Sequence, residues 1–179
     1  KYYEDIIPLL QAKIVFPESS DPRNAALMRS MAGENAVSVH LRRKDYLTVA
    51  DGKRYMGICT DAYYKGAIRY ITERVERPVF YIFSDDPAFA RAQFCGENMH
   101  VVDWNTGRES LQDMALMSRC RHNICANSTF SIWGARLNRH PNKIMIRPLH
   151  HDNYETLDAG TLHAYWQGWV LMDADGNVC

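Results

Sequence analysis

What this chain most plainly lacks is charge of one sign. Its 21 Lys and Arg are balanced by 21 Asp and Glu, a formal net charge of zero over 179 residues. A neutral chain has no global field to draw in a polyanion, so nucleic acid is disfavoured as a partner and any cationic site must act locally. No apolar run approaches the roughly 20 residues of a membrane span, and there is no signal-peptide pattern. Cysteine is sparse and odd in number: Cys59, Cys95, Cys120, Cys125 and Cys179 form no repeated framework. That points to free thiols and a reducing compartment. Cys120 and Cys125 have no matching second pair, so their spacing does not make a structural zinc site. The sequence has no G-x-x-x-x-G-K-[ST] loop and no G-x-G-x-x-G turn, which removes the P-loop and the dinucleotide fingerprint. Internal repeats and low-complexity segments are absent too. The chain starts abruptly inside a helix-like stretch, Tyr2 to Leu10, which predicts further sequence upstream.

What is present is an alternation of strand-like and helix-like segments. Val37 to Leu41 reads as a strand, and the nearly continuous apolar run Val79 to Phe83 as a buried parallel one. Between them Thr60 is placed to cap a helix whose apolar residues Tyr64, Ala67, Ile68, Ile71 and Val75 share one face, with Pro78 closing the unit. Asp86 and Pro87 read as an N-cap and first helical residue, with Gly96 as the stop beyond about Phe94. Met99 to Val102, His122 to Ala126 and Lys143 to Ile146 are short strands. Ser110 and Asp113 resemble a capping box ahead of a face made by Leu111, Met114, Ala115 and Ser118. Asn127 and Ser128 open a helix through Leu137. This alternation predicts an α/β, Rossmann-like parallel sheet with helices on both faces. Residues 1–150 form the expected domain, with 1–33 as leading helices. Residues 151–179 are a tail packing on it through Trp166 and Trp169, with Asp175 and Gly176 in a turn.

In such a sheet ligands sit beyond the carboxyl ends of the strands, and the chemically loaded segments fall there. The first is His40, Arg42, Arg43 and Asp45. Paired guanidiniums are poor core material but match phosphate oxygens well. One arginine is suited to a pyrophosphate while the other pairs with Asp45. An Arg–Asp ion pair beside a core histidine is the structural alternative. The second segment is Ser84-Asp85-Asp86. Asp86 is accounted for as the cap, which leaves Asp85 free to accept from a base edge or a sugar hydroxyl. Paired aspartates also suit a hard cation, but no further hard-ligand cluster accompanies them. The third is Asn127, Ser128 and Thr129, where a helix start offers N–H groups and hydroxyls to phosphate, or simply caps itself.

Taken in order, these segments resemble the α-1,2-fucosyltransferases, a glycosyltransferase family. The H-x-R-R-x-D motif is His40, Arg42, Arg43 and Asp45, and the F-S-D-D segment is Phe83 to Asp86. The third motif runs from Asp113, Leu116, Met117 and Ser118 through His122 to Asn127-Ser128-Thr129-Phe130-Ser131, Trp133, Gly134 and Ala135. Tyr55, Gly57, Cys59, Thr60, Tyr63 and Tyr64 also look like the family. Ile132 departs from the pattern where a first Trp is common, and Lys44 where Gly is. The similarity covers roughly residues 1 to 147. It implies the carboxy-terminal, donor-binding lobe of a GT-B-type fold that binds GDP-fucose. It implies inverting transfer of L-fucose to the 2-hydroxyl of a terminal galactose in a glycan acceptor, with no cofactor and no metal. It further implies that an amino-terminal lobe of the same protein belongs beside this one, and that this portion alone is inactive. The setting implied is cytoplasmic or peripheral to the inner membrane in a bacterium, or the Golgi lumen in a eukaryote. On that footing Arg42, His40 and Asp45 are the candidate catalytic residues. Arg42, Arg43, Asp85, Asp86, Asn127, Ser128 and Thr129 are the candidate donor-binding residues. A non-catalytic nucleotide-sugar or glycan-binding module, and a metal-dependent phosphohydrolase using the Asp pair, are the alternatives.

Overall fold

The computed structural model describes residues 4–179, so Tyr2 and Tyr3 of the expected opening helix lie outside the described residues. Six parallel strands form one sheet: β1 (Asn35–Leu41), β2 (Pro78–Ser84), β3 (Met99–Val102), β4 (His122–Ile124), β5 (Met145–Pro148) and β6 (Val170–Met172). Their order is β3-β2-β1-β4-β5-β6. This is the doubly wound Rossmann order, with the direction of winding reversing between β1 and β4. The helices are α1 (Ile7–Lys13), α2 (Pro22–Ala32), α3 (Lys44–Thr48), α4 (Asp61–Thr72), α5 (Pro87–Gln93), α6 (Ser110–Arg119), α7 (Thr129–Leu137) and α8 (Ala159–Tyr165).

Alternation along β1 explains the two layers. Val37, Val39 and Leu41 pack with Tyr63, Ala67 and Ile71 of α4 and Ala90 of α5. Ala36, on the opposite face, packs with Met31 of α2 and Leu116 and Met117 of α6. Cys125, Ile132, Ala135, Leu162 and Leu171 join α7, α8 and β6 in a third cluster. Strands covered on both sides read as continuous apolar runs because both sets of side chains are buried. Crossovers α4 and α5 therefore lie on one face and α6, α7 and α8 on the other, which opens a crevice at the carboxyl ends of β1 and β4.

Thr60 caps α4 as expected, accepting from the Tyr63 N–H at 3.1 Å. Several local expectations shift. Helix α4 stops at Thr72, before Val75, and Pro78 begins β2 rather than closing a helix. Ser110 and Asp113 do not make a capping box: no side chain caps α6, and the Asp113 carboxylate accepts instead from Asn105 Nδ2 at 2.8 Å. The buried face of α6 is Gln112, Ala115, Leu116 and Met117, while Leu111 is exposed, because the helix docks on both α2 and α7. After Pro148 the chain forms α8, whose Leu162 clusters with Ile132 and Ala135, the Trp166–Trp169 edge-to-face pair at 5.5 Å, and the sixth strand of the sheet. The expected turn at Gly176 (φ +82°) lies against α4 at Gly66, so closely that a Cβ on Gly66 would meet the Gly176 carbonyl oxygen at 2.3 Å. Only glycine permits both that approach and that backbone angle.

Candidate functional site

The loop leaving β1 carries Arg42 and Arg43 into α3, and carboxylates from the neighbouring strand hold it. Asp85, just past β2, accepts from the backbone N–H of Arg43 at 2.9 Å and of Asp45 at 3.1 Å. It also lies 3.6 Å from the Arg42 Nε. Asp85 is therefore not free, contrary to the sequence reading: both of its oxygens fasten the arginine loop. Parallel pairing of β1 with β2, which sets Leu41 beside Ser84, puts it there. Arg42 also pairs with Asp45 through its terminal nitrogen. Arg43 donates to Asp86 at 2.8 Å and lies over the Phe89 ring at 4.4 Å. Asp86 is the cap of α5, accepting from the Phe89 N–H at 3.3 Å. The two arginines thus divide the acids, Arg42 with Asp45 and Asp85, Arg43 with Asp86.

Across the crevice, Asn127 follows β4. Its amide donates to the carbonyls of Tyr55 and His151, each at 3.1 Å, and its own carbonyl accepts from the Tyr46 hydroxyl at 2.9 Å. Through these bonds Asn127, a candidate donor-binding residue, ties together the loops that follow β1, β4 and β5. Ser128 is buried and opens α7 without a side-chain cap, and Thr129 is exposed beside it; of the three only Asn127 lines the cleft described next. Arg42, Arg43, Tyr46, Tyr55, Cys59, Thr60, Phe89 and Asn127 are among the residues lining a cleft of about 260 Å³. Two larger hollows, one between α4 and α5 and one beside residues 14–19, are lined by none of the residues the sequence marked for chemistry.

His40 points to the other face of β1. It is 4% exposed, its ring lies 5.6 Å from that of Phe130, and its Nδ1 has no hydrogen-bond partner. Burial, reinforced by the Arg42 charge, lowers its pKa to about 4, so it is neutral at ordinary pH. Asp45, by contrast, is half exposed. Lys44, a departure from the family pattern, is the first residue of α3 and exposed; Ile132, the other, is buried in the α7–α8 cluster.

The clasp around Asn127 has no signal in local sequence. Tyr46 and Tyr55 stack at 5.2 Å. Arg54 binds Asp152 at 2.8 Å, and Asn153 reaches the carbonyls of Lys53 and Met56. The partners of Asp152 and Asn153 lie about a hundred residues away, so no local spacing reveals them. Among the described residues no group of three or more His, Cys, Asp or Glu is placed to hold a metal ion, and no helix is long and apolar enough to cross a membrane.

Comparison with known proteins points to one family. The model of the family described as Glycosyl transferase family 11 matches residues 23–173. The O-antigen biosynthesis glycosyltransferase WbnK of Escherichia coli is 42% identical over 115 residues, covering 64% of this chain and 38% of that protein. An alpha-1,2-colitosyltransferase of Escherichia coli is 38% identical over 123 residues, covering 64% of this chain and 40% of that protein. The galactoside alpha-(1,2)-fucosyltransferase 1 of Sus scrofa is 36% identical over 104 residues, covering 56% of this chain and 28% of that protein. The chain spans less than half the length of these relatives.

Proposed function

The chain belongs to glycosyl transferase family 11, and on that footing we propose that it is the donor-binding portion of a galactoside α-1,2-fucosyltransferase. In this reading it binds GDP-fucose, and the whole protein transfers L-fucose with inversion to the 2-hydroxyl of a terminal galactose. The observation that carries the proposal is that Arg42, Arg43 and Asn127, the residue that leads into α7, line one cleft at the β1–β4 switch point. Two guanidiniums and a helix N-terminus form a receptor for a diphosphate.

Negative charge grows on the departing GDP as the sugar becomes oxocarbenium-like. Arginines already fixed by carboxylates reorganise little at that moment, so they stabilise the transition state more than the ground state. Arg42 takes the leading role, Arg43 the second, and Ser128 and Thr129 share the charge. Asp86 is the better candidate for the guanine donors: Asp85 spends both oxygens on backbone N–H groups and is the more buried of the two, whereas Asp86 holds one backbone N–H, that of Phe89, and its other oxygen meets only the partly exposed Arg43 side chain. For the proton of the acceptor hydroxyl, Asp45 is more reachable than His40, which is buried behind Phe130. The colitosyltransferase among the relatives makes a colitosyl donor the second reading of the sugar.

The test is calorimetry with GDP, ADP and UDP, with and without EDTA. GDP is expected to bind much more tightly than ADP or UDP, and equally well in chelator. Equal affinity for all three overturns the guanine assignment, and loss of binding in EDTA overturns the metal-free one.

A further inference from the structure

Arg147 has no part in the site as described, yet it is the largest side chain wholly withdrawn from solvent, 0% exposed. None of its three guanidinium nitrogens has a hydrogen-bond partner. No carboxylate among the described residues approaches it within ion-pair distance. Its guanidinium lies 3.9 Å from the centre of the Trp166 ring, a contact that holds the cation without neutralising it. Buried guanidiniums are ordinarily paired, because desolvating a charge with nothing opposite it is costly. Such an exception is expected where the charge serves a ligand rather than the fold.

Its place in the sheet says which ligand. Arg147 is near the carboxyl end of β5, the strand beside β4, whose own end leads into Asn127 and the start of α7. Ile146 pairs with Ile124 of β4, which sets Arg147 level with Cys125, two residues before Asn127 in the cleft wall. We propose that Arg147 is a positioning residue of the donor site: a buried, unpaired cation behind the cleft wall whose field favours the diphosphate without touching it. The proposal rests on the diphosphate reading of the cleft given above.

The supporting physics is that a charge in a dry interior is screened little, whereas Arg42 and Arg43 are partly solvated. Burial lowers the Arg147 pKa to about 10, which still leaves it charged at neutral pH. His151, whose carbonyl accepts from the Asn127 amide, is held below its ordinary pKa by burial and by the Arg147 charge. Glu155 is the carboxylate that acts most on Arg147, but one of its oxygens accepts from the His151 N–H at 2.6 Å.

The experiment compares wild type, Arg147→Met and Arg147→Lys in three measurements: melting temperature, affinity for GDP and for uncharged guanosine, and the His151 titration followed by NMR. Arg147→Met is expected to melt no lower than wild type, since an apolar side chain of similar length replaces an unpaired charge. It should weaken GDP on the order of tenfold, the effect of one buried charge on an anion through an effective dielectric of about 20. Guanosine should be unaffected, and the His151 pKa should rise. Arg147→Lys should keep most of the GDP affinity. If Arg147→Met binds GDP like wild type, or weakens GDP and guanosine equally, the field role is overturned. If it melts lower and Glu155→Gln does the same, Arg147 is a structural counter-ion of the 149–157 loop. Failure of the wild type itself to bind GDP would overturn the diphosphate reading, a result distinct from any difference among the variants.

Discussion

Replacing Asp85 by Asn separates scaffold from ligand reader. The Asp85 carboxylate accepts from two backbone N–H groups, of Arg43 at 2.9 Å and Asp45 at 3.1 Å, and faces Arg42 at 3.6 Å. A hydrogen bond to a charged group contributes about 1.5–3 kcal/mol. Asparagine keeps one acceptor oxygen and turns an NH₂ toward the other donor, so the loss is about 2 kcal/mol. In a chain of this size each kcal/mol lowers the melting temperature by roughly 2–4 °C, which predicts a fall of about 4–8 °C for Asp85→Asn. GDP affinity should fall with it, because the loop presents both arginines. Asp86→Asn is the control. Asn caps as well as Asp, and the ion pair with Arg43 is partly exposed, so the stability cost stays under about 1 kcal/mol. That variant should instead lose preference for GDP over ADP. Thermal melting and calorimetry of both proteins decide the matter. If Asp85→Asn melts like wild type while losing GDP, Asp85 is a ligand contact and the scaffold argument is wrong.

Arg42→Ala should lower GDP affinity by roughly a hundredfold with the fold intact, and Arg42→Lys should not restore it, because an ammonium lacks the planar fork; titration of both variants checks this. Gly66→Ala should destabilise by about 3 kcal/mol or more, since its Cβ would meet the Gly176 backbone and neither chain segment can yield cheaply; denaturant unfolding reads it. Burial raises the Asp113 pKa to about 7, against 3.8 for an ordinary aspartate. The folded state then holds this proton more tightly than the unfolded state does. Its contribution to stability is full below about pH 4 and is lost as pH rises toward 7. Asp113→Asn should therefore melt higher than wild type at pH 8 and flatten the pH dependence of the melting temperature between these limits.

The order of elements was legible because each rests on local physics. Thr60 and Asp86 cap their helices from within one turn. The apolar run from Val79 to Phe83 reads as a buried strand because both faces of a parallel sheet are covered. The Arg42–Arg43 pair stood out because charge at a strand end needs a reason. The buried face of α6 is not legible in the same way, because whether Leu111 or Gln112 is buried depends on the helices on either side and not on the period alone.

By itself, then, the sequence determined the alternation, the parallel sheet and the residues at its carboxyl edge, all consequences of neighbours within a few positions. Only the tertiary structure decided which of those residues are spent. It set Asp85 against the Arg43 and Asp45 amides across about forty residues of chain, and Asn127 against the carbonyls of Tyr55 and His151. It also left Arg147 buried on Trp166 with no partner. The physical reason is the same in each case: a polar group's role is set by who meets its hydrogen bonds, and in a doubly wound sheet those partners come from crossovers distant in sequence.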